Sequence, residues 1–190
     1  MLTGYLRQRR RTLLAFFLFG GIFAAAFALY QLPLRAVAYP FVLCAAAGAV
    51  LLTLDYRRVL RQHRRLELLR QLQADGVVSA VVSNKPDYAV KTLSEQYFPG
   101  LLATSAGAKD GVRKKPCPDS VFAVVQQLGA EALRAVYIGD SEVDVATARN
   151  AGMPCISVSW GFRDRNVLVS AGAETICDDM DALYRALREG

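Results

Sequence analysis

Two runs of 19 residues without a single charge, at 12–30 and 36–54, constrain this chain more than any other feature. As a helix, each would reach about 28 Å, close to the ~30 Å hydrocarbon core of a bilayer. Neither run carries a polar stripe, so neither reads as a helix lying on a water-facing domain. Between them, Gln31-Leu32-Pro33-Leu34-Arg35 reads as a tight turn. Arg7, Arg9, Arg10 and Arg11 precede the first run, and Arg57, Arg58, Arg61, Arg64 and Arg65 follow the second. Only Arg35 lies in the turn, so the positive-inside rule places both ends in the cytoplasm. The expectation is a two-helix transmembrane hairpin over residues 1–65, held in the cytoplasmic (inner) membrane through residues 12–54.

Charge separates this region from the rest. The first 70 residues hold 11 Lys and Arg against two acidic residues, and the remaining 120 hold 12 against 15. The basic character of the chain therefore belongs to the region with the apolar runs. A nucleic-acid-binding domain would not place its charge there, so no nucleic-acid partner is expected. Four cysteines, Cys44, Cys117, Cys155 and Cys177, form no Cys-x-x-Cys and no zinc spacing. They read as free thiols in a reducing compartment. His63, the one histidine, sits among arginines and reads as a surface residue.

From residue 66 the periodicity changes, and a second domain is expected over 66–190. A helix ends near Asp75-Gly76, and a short β-branched run follows at 77–82. Helices are expected at 88–97, 120–128, 143–150 and 180–188, with Asp119 as an N-cap. Strands are expected at 101–105, 135–138 and 155–159. This alternation predicts a parallel sheet with helices on its faces, and ligands bind beyond the carboxyl ends of such strands.

The polar residues at those ends suit an anionic ligand. Ser83-Asn84-Lys85-Pro86 offers a hydroxyl and exposed amides for a phosphate oxygen, though the same residues also make a plain helix cap. Lys115, beside Pro116 at a helix entry, can neutralise phosphate or carboxylate charge. Asp140, Glu142 and Asp144 crowd three carboxylates into five residues after an apolar strand, which favours a bound cation.

In this order, these stretches resemble the haloacid dehalogenase superfamily of phosphatases, and phosphoglycolate phosphatases most closely. The resembling residues are Val81-Val82-Ser83-Asn84-Lys85-Pro86-Asp87, Lys115-Pro116-Cys117-Pro118-Asp119, Gly139-Asp140-Ser141-Glu142-Val143-Asp144, Ala148-Arg149-Asn150-Ala151-Gly152-Met153 and Trp160-Gly161-Phe162-Arg163. The resemblance spans about residues 70–188. It implies that Ser83 and Asn84 bind phosphate, that Lys115 binds phosphate and nucleophile, and that Asp140 and Asp144 serve a Mg²⁺ site. A phosphorylated small molecule is the implied substrate. Residues 1–69 are similar to the two-span membrane region of small sensor histidine kinases, through Tyr5-Leu6-Arg7, Leu32-Pro33-Leu34 and Arg64-Arg65-Leu66-Glu67. No phosphoacceptor histidine box follows, so kinase activity is not expected.

One part of the phosphatase pattern is missing. The family's nucleophile is an aspartate in an Asp-x-Asp-x-Thr motif on a central strand upstream of the serine, followed by a cap domain. Only Asp55 and Asp75 precede Ser83, and neither has a second aspartate two residues on. The expected fold is therefore an incomplete α/β Rossmannoid parallel sheet lacking its central nucleophile strand and its cap. Its strands would pair directly in a new register, accept a strand from another chain, or fold poorly. The expected function is a membrane-tethered phosphatase fragment, inactive alone. The alternatives are a non-catalytic sensor or interaction module and a split phosphatase completed by another chain.

Overall fold

The computed structural model describes residues 18, 21, 22, 25 and 34–189. The chain divides into two compact units, Met1–His63 and Arg64–Gly190. In the first, the continuous described element is the start of α1 (Leu34–Ala74), a 41-residue helix rich in Ala, Leu and Arg. Its apolar residues Val42, Leu43, Val50, Leu51 and Leu54 are exposed.

The membrane hairpin is corrected here. Among the described residues, no helix is long and apolar enough to cross a membrane. The expected span at 12–30 lies almost wholly outside the described residues. The run at 36–54 is not a separate element: α1 continues unbroken through Asp55 and the arginines to Ala74. The two-span inner-membrane localisation, with both termini cytoplasmic, falls with the hairpin.

In the second unit, the last turns of α1 enter the core. The helix stops in a glycine motif: Gly76 takes φ +79°, its amide donates to Gln73, and the Val77 amide donates to Leu72 at 2.8 Å. Then follow β1 (Ala80–Pro86), α2 (Asp87–Tyr97), β2 (Thr104–Ala108), α3 (Asp119–Gln127), a 3₁₀ turn (Ala132–Arg134), β3 (Tyr137–Gly139), α4 (Glu142–Ala151), β4 (Cys155–Val158), α5 (Arg165–Ser170), β5 (Thr175–Cys177) and α6 (Met180–Glu189).

All strand pairs are parallel, but they form two sheets: β1 with β2, and β3-β4-β5. β1 and β3 do not pair, so the expected gap is not closed by direct pairing. Helices cover both faces of the three-stranded sheet. Side chains alternate across β4, so Ile156 and Val158 join Leu68 and Leu72 of α1 and Leu183 of α6 on one face. On the other, Tyr137 packs with Val121 of α3 and Ala148 and Ala151 of α4, and Val82 of β1 and Cys155 of β4 pack against that cluster. Asp75 ties the two helices of the first face by accepting bonds from Tyr184 at 2.8 Å and Arg188 at 3.0 Å.

The two-stranded sheet is tied to α2 by Asp87. Its carboxylate accepts the Gly107 amide of β2 at 2.9 Å and pairs with Lys91 at 2.9 Å. These bonds, the Gly107 amide first, hold the Asp87 carboxyl below its ordinary value of 3.8. Because the folded value is depressed, the linked stability is present above pH 3.8 and lost as pH falls through the lower folded value. NMR titration of the Asp87 side-chain carbon is expected to give a midpoint below 3.8; a midpoint at or above it would mean that the Gly107 bond does not persist in solution.

Candidate functional site

The carboxyl ends of β1 and β3 open on a shared cavity of about 420 Å³, lined by Ser83, Asn84, Lys85, Lys115, Asp140 and Asp144. The five expected site residues, Ser83, Asn84, Lys115, Asp140 and Asp144, are therefore brought together. Phe162 also lines the cavity while 77% exposed.

Ser83 sits where β1 loses regular register, between Val82 and Pro86. Its hydroxyl oxygen accepts the Lys85 amide at 3.2 Å, leaving its proton to donate. α2 begins at Asp87, just after this bulge, and its first amides face the same end of the sheet. Asn84 has a role the sequence does not disclose. Its Oδ1 accepts the Lys115 amide at 2.8 Å, and its Nδ2 donates to the Lys115 carbonyl at 3.1 Å. Asn150 of α4 adds a bond to the Pro116 carbonyl at 2.9 Å. The lysine loop is thus fastened to β1 and to α4 through its main chain.

At the other end of Lys115, the ammonium donates to Asp144 Oδ1 at 2.7 Å, to the Tyr137 hydroxyl at 3.2 Å and to the Val82 carbonyl at 3.4 Å. Asp144 is almost fully committed. Oδ1 also accepts the Tyr137 hydroxyl at 3.3 Å, and Oδ2 accepts the Ser141 hydroxyl at 2.6 Å and the Asp140 amide at 3.2 Å. Burial pushes the Asp144 carboxyl up, but the bonds from Lys115 and Ser141 outweigh it and hold the group below its usual range. Burial, and then the Asp144 charge, push the Tyr137 phenol far up, so Tyr137 stays protonated. By its sequence alone Tyr137 reads only as strand filler; its place two residues before Gly139 is the available signal.

Two glycines let the carboxylates come this close. A Cβ on Gly139 would lie 2.1 Å from Asp144 Cβ, and one on Gly161 would lie 2.1 Å from Asp140 Cβ. Asp140 Oδ2 accepts the Phe162 amide at 3.0 Å, and Arg163 grips Glu142 at 2.6 and 2.8 Å. Glu142, one of the three crowded carboxylates, is thus paired with an arginine.

Residues 62–158 match the haloacid dehalogenase-like hydrolase family. The chain belongs to that family. It is 36% identical over 121 residues to the phosphoglycolate phosphatase of Rhodospirillum rubrum, covering 62% of this chain and 49% of that protein. It is 30% identical over 118 residues to the phosphoglycolate phosphatase of Pseudomonas syringae pv. syringae, covering 62% and 43%. The crystal structure of a putative phosphoglycolate phosphatase from Lactobacillus delbrueckii subsp. bulgaricus is similar with a TM-score of 0.63 and 46% identity, over 64% of this chain and 51% of that one. The chain spans about half the length of the curated relatives it matches. The kinase resemblance of residues 1–69 is not supported: the hydrolase match begins inside that region, at residue 62.

The family implies Mg²⁺. Among the described residues, no group of three or more His, Cys, Asp or Glu converges on one point. Mg²⁺ is often held by one or two carboxylates, with waters and substrate phosphate completing the shell. Asp140, on the cavity wall, fits that minimal role. Asp144 fits it poorly, since both its oxygens already accept bonds from Lys115, Tyr137, Ser141 and the Asp140 amide.

Proposed function

We propose that this chain carries the phosphate-holding part of a phosphomonoesterase site, with a small phosphorylated acid such as phosphoglycolate as its ligand. The observation that carries this reading is Lys115: its ammonium borders the cavity that Ser83 lines, and Asn84 and Asp144 fix it from both ends. In the proposed complex the Ser83 hydroxyl donates to one phosphate oxygen. The amides leading into α2 meet a second, and Lys115 neutralises a third. Asp144 holds the Lys115 ammonium in place, and Tyr137 supports Asp144. Mg²⁺, when bound at Asp140, would neutralise further phosphate charge.

The residues described supply binding and charge neutralisation. Of the two aspartates that line the cavity, Asp144 has both oxygens committed and Asp140 is the one suited to Mg²⁺, while Asp75 instead holds Tyr184 and Arg188. Covalent phosphoryl transfer through aspartate splits one hard displacement into two easier ones, and without the nucleophile that advantage is lost. The full chain is therefore expected to bind phosphoglycolate and inorganic phosphate without hydrolysing phosphoglycolate or p-nitrophenyl phosphate above background.

Titration calorimetry on the full chain tests the binding. Lys115→Met should weaken phosphate by roughly 10- to 100-fold, the worth of a hydrogen bond to a charged group, and Ser83→Ala by about fivefold. Equal affinity in wild type and Lys115→Met would remove the reading. Hydrolysis by the wild type that Asp140→Asn abolishes would show that the chain does supply a nucleophile, one other than an Asp-x-Asp-x-Thr aspartate.

A further inference from the structure

Two lysines line the cavity, Lys85 and Lys115. Lys115 is committed: Asp144 holds its ammonium at 2.7 Å, with the Tyr137 hydroxyl and the Val82 carbonyl beside it. Lys85 is placed differently. Its main-chain amide donates to the Ser83 hydroxyl oxygen at 3.2 Å, which fixes the start of its side chain next to the serine. Its ammonium has no hydrogen bond or ion pair among the described residues. The nearest acid along the chain, Asp87, is already taken. It accepts the Gly107 amide at 2.9 Å and pairs with Lys91 at 2.9 Å and Lys109 at 3.7 Å. Cations in the flanking loops are paired as well, Arg113 with Asp119 and Arg163 with Glu142. Lys114 shares the lack of a partner among the described residues, but it does not line the cavity.

The charges on the cavity wall leave one place for a second anion. Of its two lysines and two aspartates, Lys115 and Asp144 neutralise each other. Asp140 repels an anion unless a cation sits on it. In the complex proposed above, the phosphate is met by the Ser83 hydroxyl, by the amides leading into α2 and by Lys115. Lys85, a point charge on a flexible four-carbon stem, is the cation on the wall that this complex leaves unused.

We infer that Lys85 selects among phosphomonoesters by taking a second anionic group of the ligand, a carboxylate close to the phosphate. The inference rests on the phosphate reading of the same cavity and gives Lys85 a contact which that reading leaves open. An ammonium with three donors meets a carboxylate without the paired geometry an arginine requires. Lys85 is exposed, so water screens the contact and its worth in affinity is smaller than that of Lys115. It tunes which ester is held, while Ser83 and Lys115 hold the phosphate common to all esters.

Titration calorimetry on the full chain in Mg²⁺-free buffer, with phosphoglycolate, ethyl phosphate and inorganic phosphate as ligands, tests it. Ethyl phosphate keeps the two-carbon ester and lacks the carboxylate. The wild type should bind phosphoglycolate about fivefold more tightly than ethyl phosphate, the upper range for an exposed ion pair. Lys85→Met should bring the two esters to within about twofold of each other and leave ethyl phosphate and inorganic phosphate unchanged. Lys85→Arg, which keeps the charge, and Lys114→Met, which removes a charge outside the cavity, should both retain the preference. Equal binding of the two esters by the wild type, or a preference that survives Lys85→Met, would overturn the inference. So would a loss of affinity for all three ligands alike, which would assign Lys85 to the phosphate. An equal loss of preference in Lys114→Met would overturn it too, as an effect of overall charge. Failure of the phosphate reading looks different: the wild type would then bind neither inorganic phosphate nor ethyl phosphate, and the inference would fall with it.

Discussion

Asp144→Ala is expected to destabilise the Arg64–Gly190 unit by about 3–5 kcal/mol, the usual cost of removing one partner from a buried ion pair. The side chains of Lys115 and Asp144 are only 13% and 9% exposed. Without the carboxylate, the ammonium keeps the Val82 carbonyl and the Tyr137 hydroxyl, neither of which carries a charge. Ser141 and the Asp140 amide lose an acceptor as well. The melting temperature should fall by about 10 °C. Denaturant titration gives the free energy, and the double variant Lys115→Met/Asp144→Ala should recover part of it, because replacing both charges leaves none stranded. A loss under about 1 kcal/mol would class the pair with exposed ion pairs and refute its buried role. The pH dependence has a fixed sign. The Asp144 carboxyl is held below 3.8, so the contribution of the pair is fully present above that pH and disappears as acid protonates the folded group.

The alternation of strands and helices in the second unit is legible in the sequence, because β-branched runs and glycine stops are local signals. The helix stop at Gly76, the helices at 88–97 and 143–150 and the strand at 155–159 lie within a residue or so of α1's end, α2, α4 and β4. The first strand begins later than its β-branched run. Val77 and Val78 look like strand residues, yet they are 45% and 63% exposed, and pairing begins only at Ala80 opposite Thr104. Pairing depends on the partner, which periodicity within one segment does not contain. β5 and α5 escape sequence reading because three-residue strands and six-residue helices are too short to show a period. Asp119, expected as a cap, opens α3 without a capping bond and instead takes Arg113 at 2.7 and 2.9 Å. All four cysteines are free, as their spacing suggests, although Cys44 is exposed where its apolar neighbours suggest burial. The largest misreading comes from apolar content. Two uncharged runs suggest two spans, but hydropathy says nothing about where a helix ends, and α1 carries on into the arginines and the core.

For the site, the grouping of residues is legible and their division of labour is not. Ser83, Lys115, Asp140 and Asp144, singled out in three separate motifs, line one cavity. The side chain of Asn84 serves the lysine loop as well as bordering the cavity, and Asp144 spends both oxygens on protein donors. Those assignments depend on which atoms come within about 3 Å across three elements, the reach of a hydrogen bond. Spacing along the chain fixes only the neighbours within one.

The glycine at the end of β3 shows how closely that arrangement is set, and Gly139→Ala is the second variant with a large expected effect. Its Cβ would lie 2.1 Å from Asp144 Cβ and 2.6 Å from Cγ. No rotamer of Asp144 relieves a clash with its own Cβ, so α4 must move away from β3. β3 cannot yield instead, because Gly139 is paired with Ser157 of β4 and Ser157 is fully buried. The cost should reach about 3 kcal/mol, the upper end for overpacking. Moving α4 also draws Asp144 from Lys115, so phosphate affinity should fall along with stability. Gly161→Ala supplies the contrast. Its Cβ would meet Asp140 just as closely, but Gly161 lies in a turn outside the strands, where the chain has room to shift. It should therefore cost less stability, about 1 kcal/mol, while turning Asp140 out of the cavity. Thermal unfolding and phosphate titration on the two variants separate these effects. Equal stability losses would mean that β3 is no more rigid than the turn, and the account of a carboxylate held in place by strand pairing would fail.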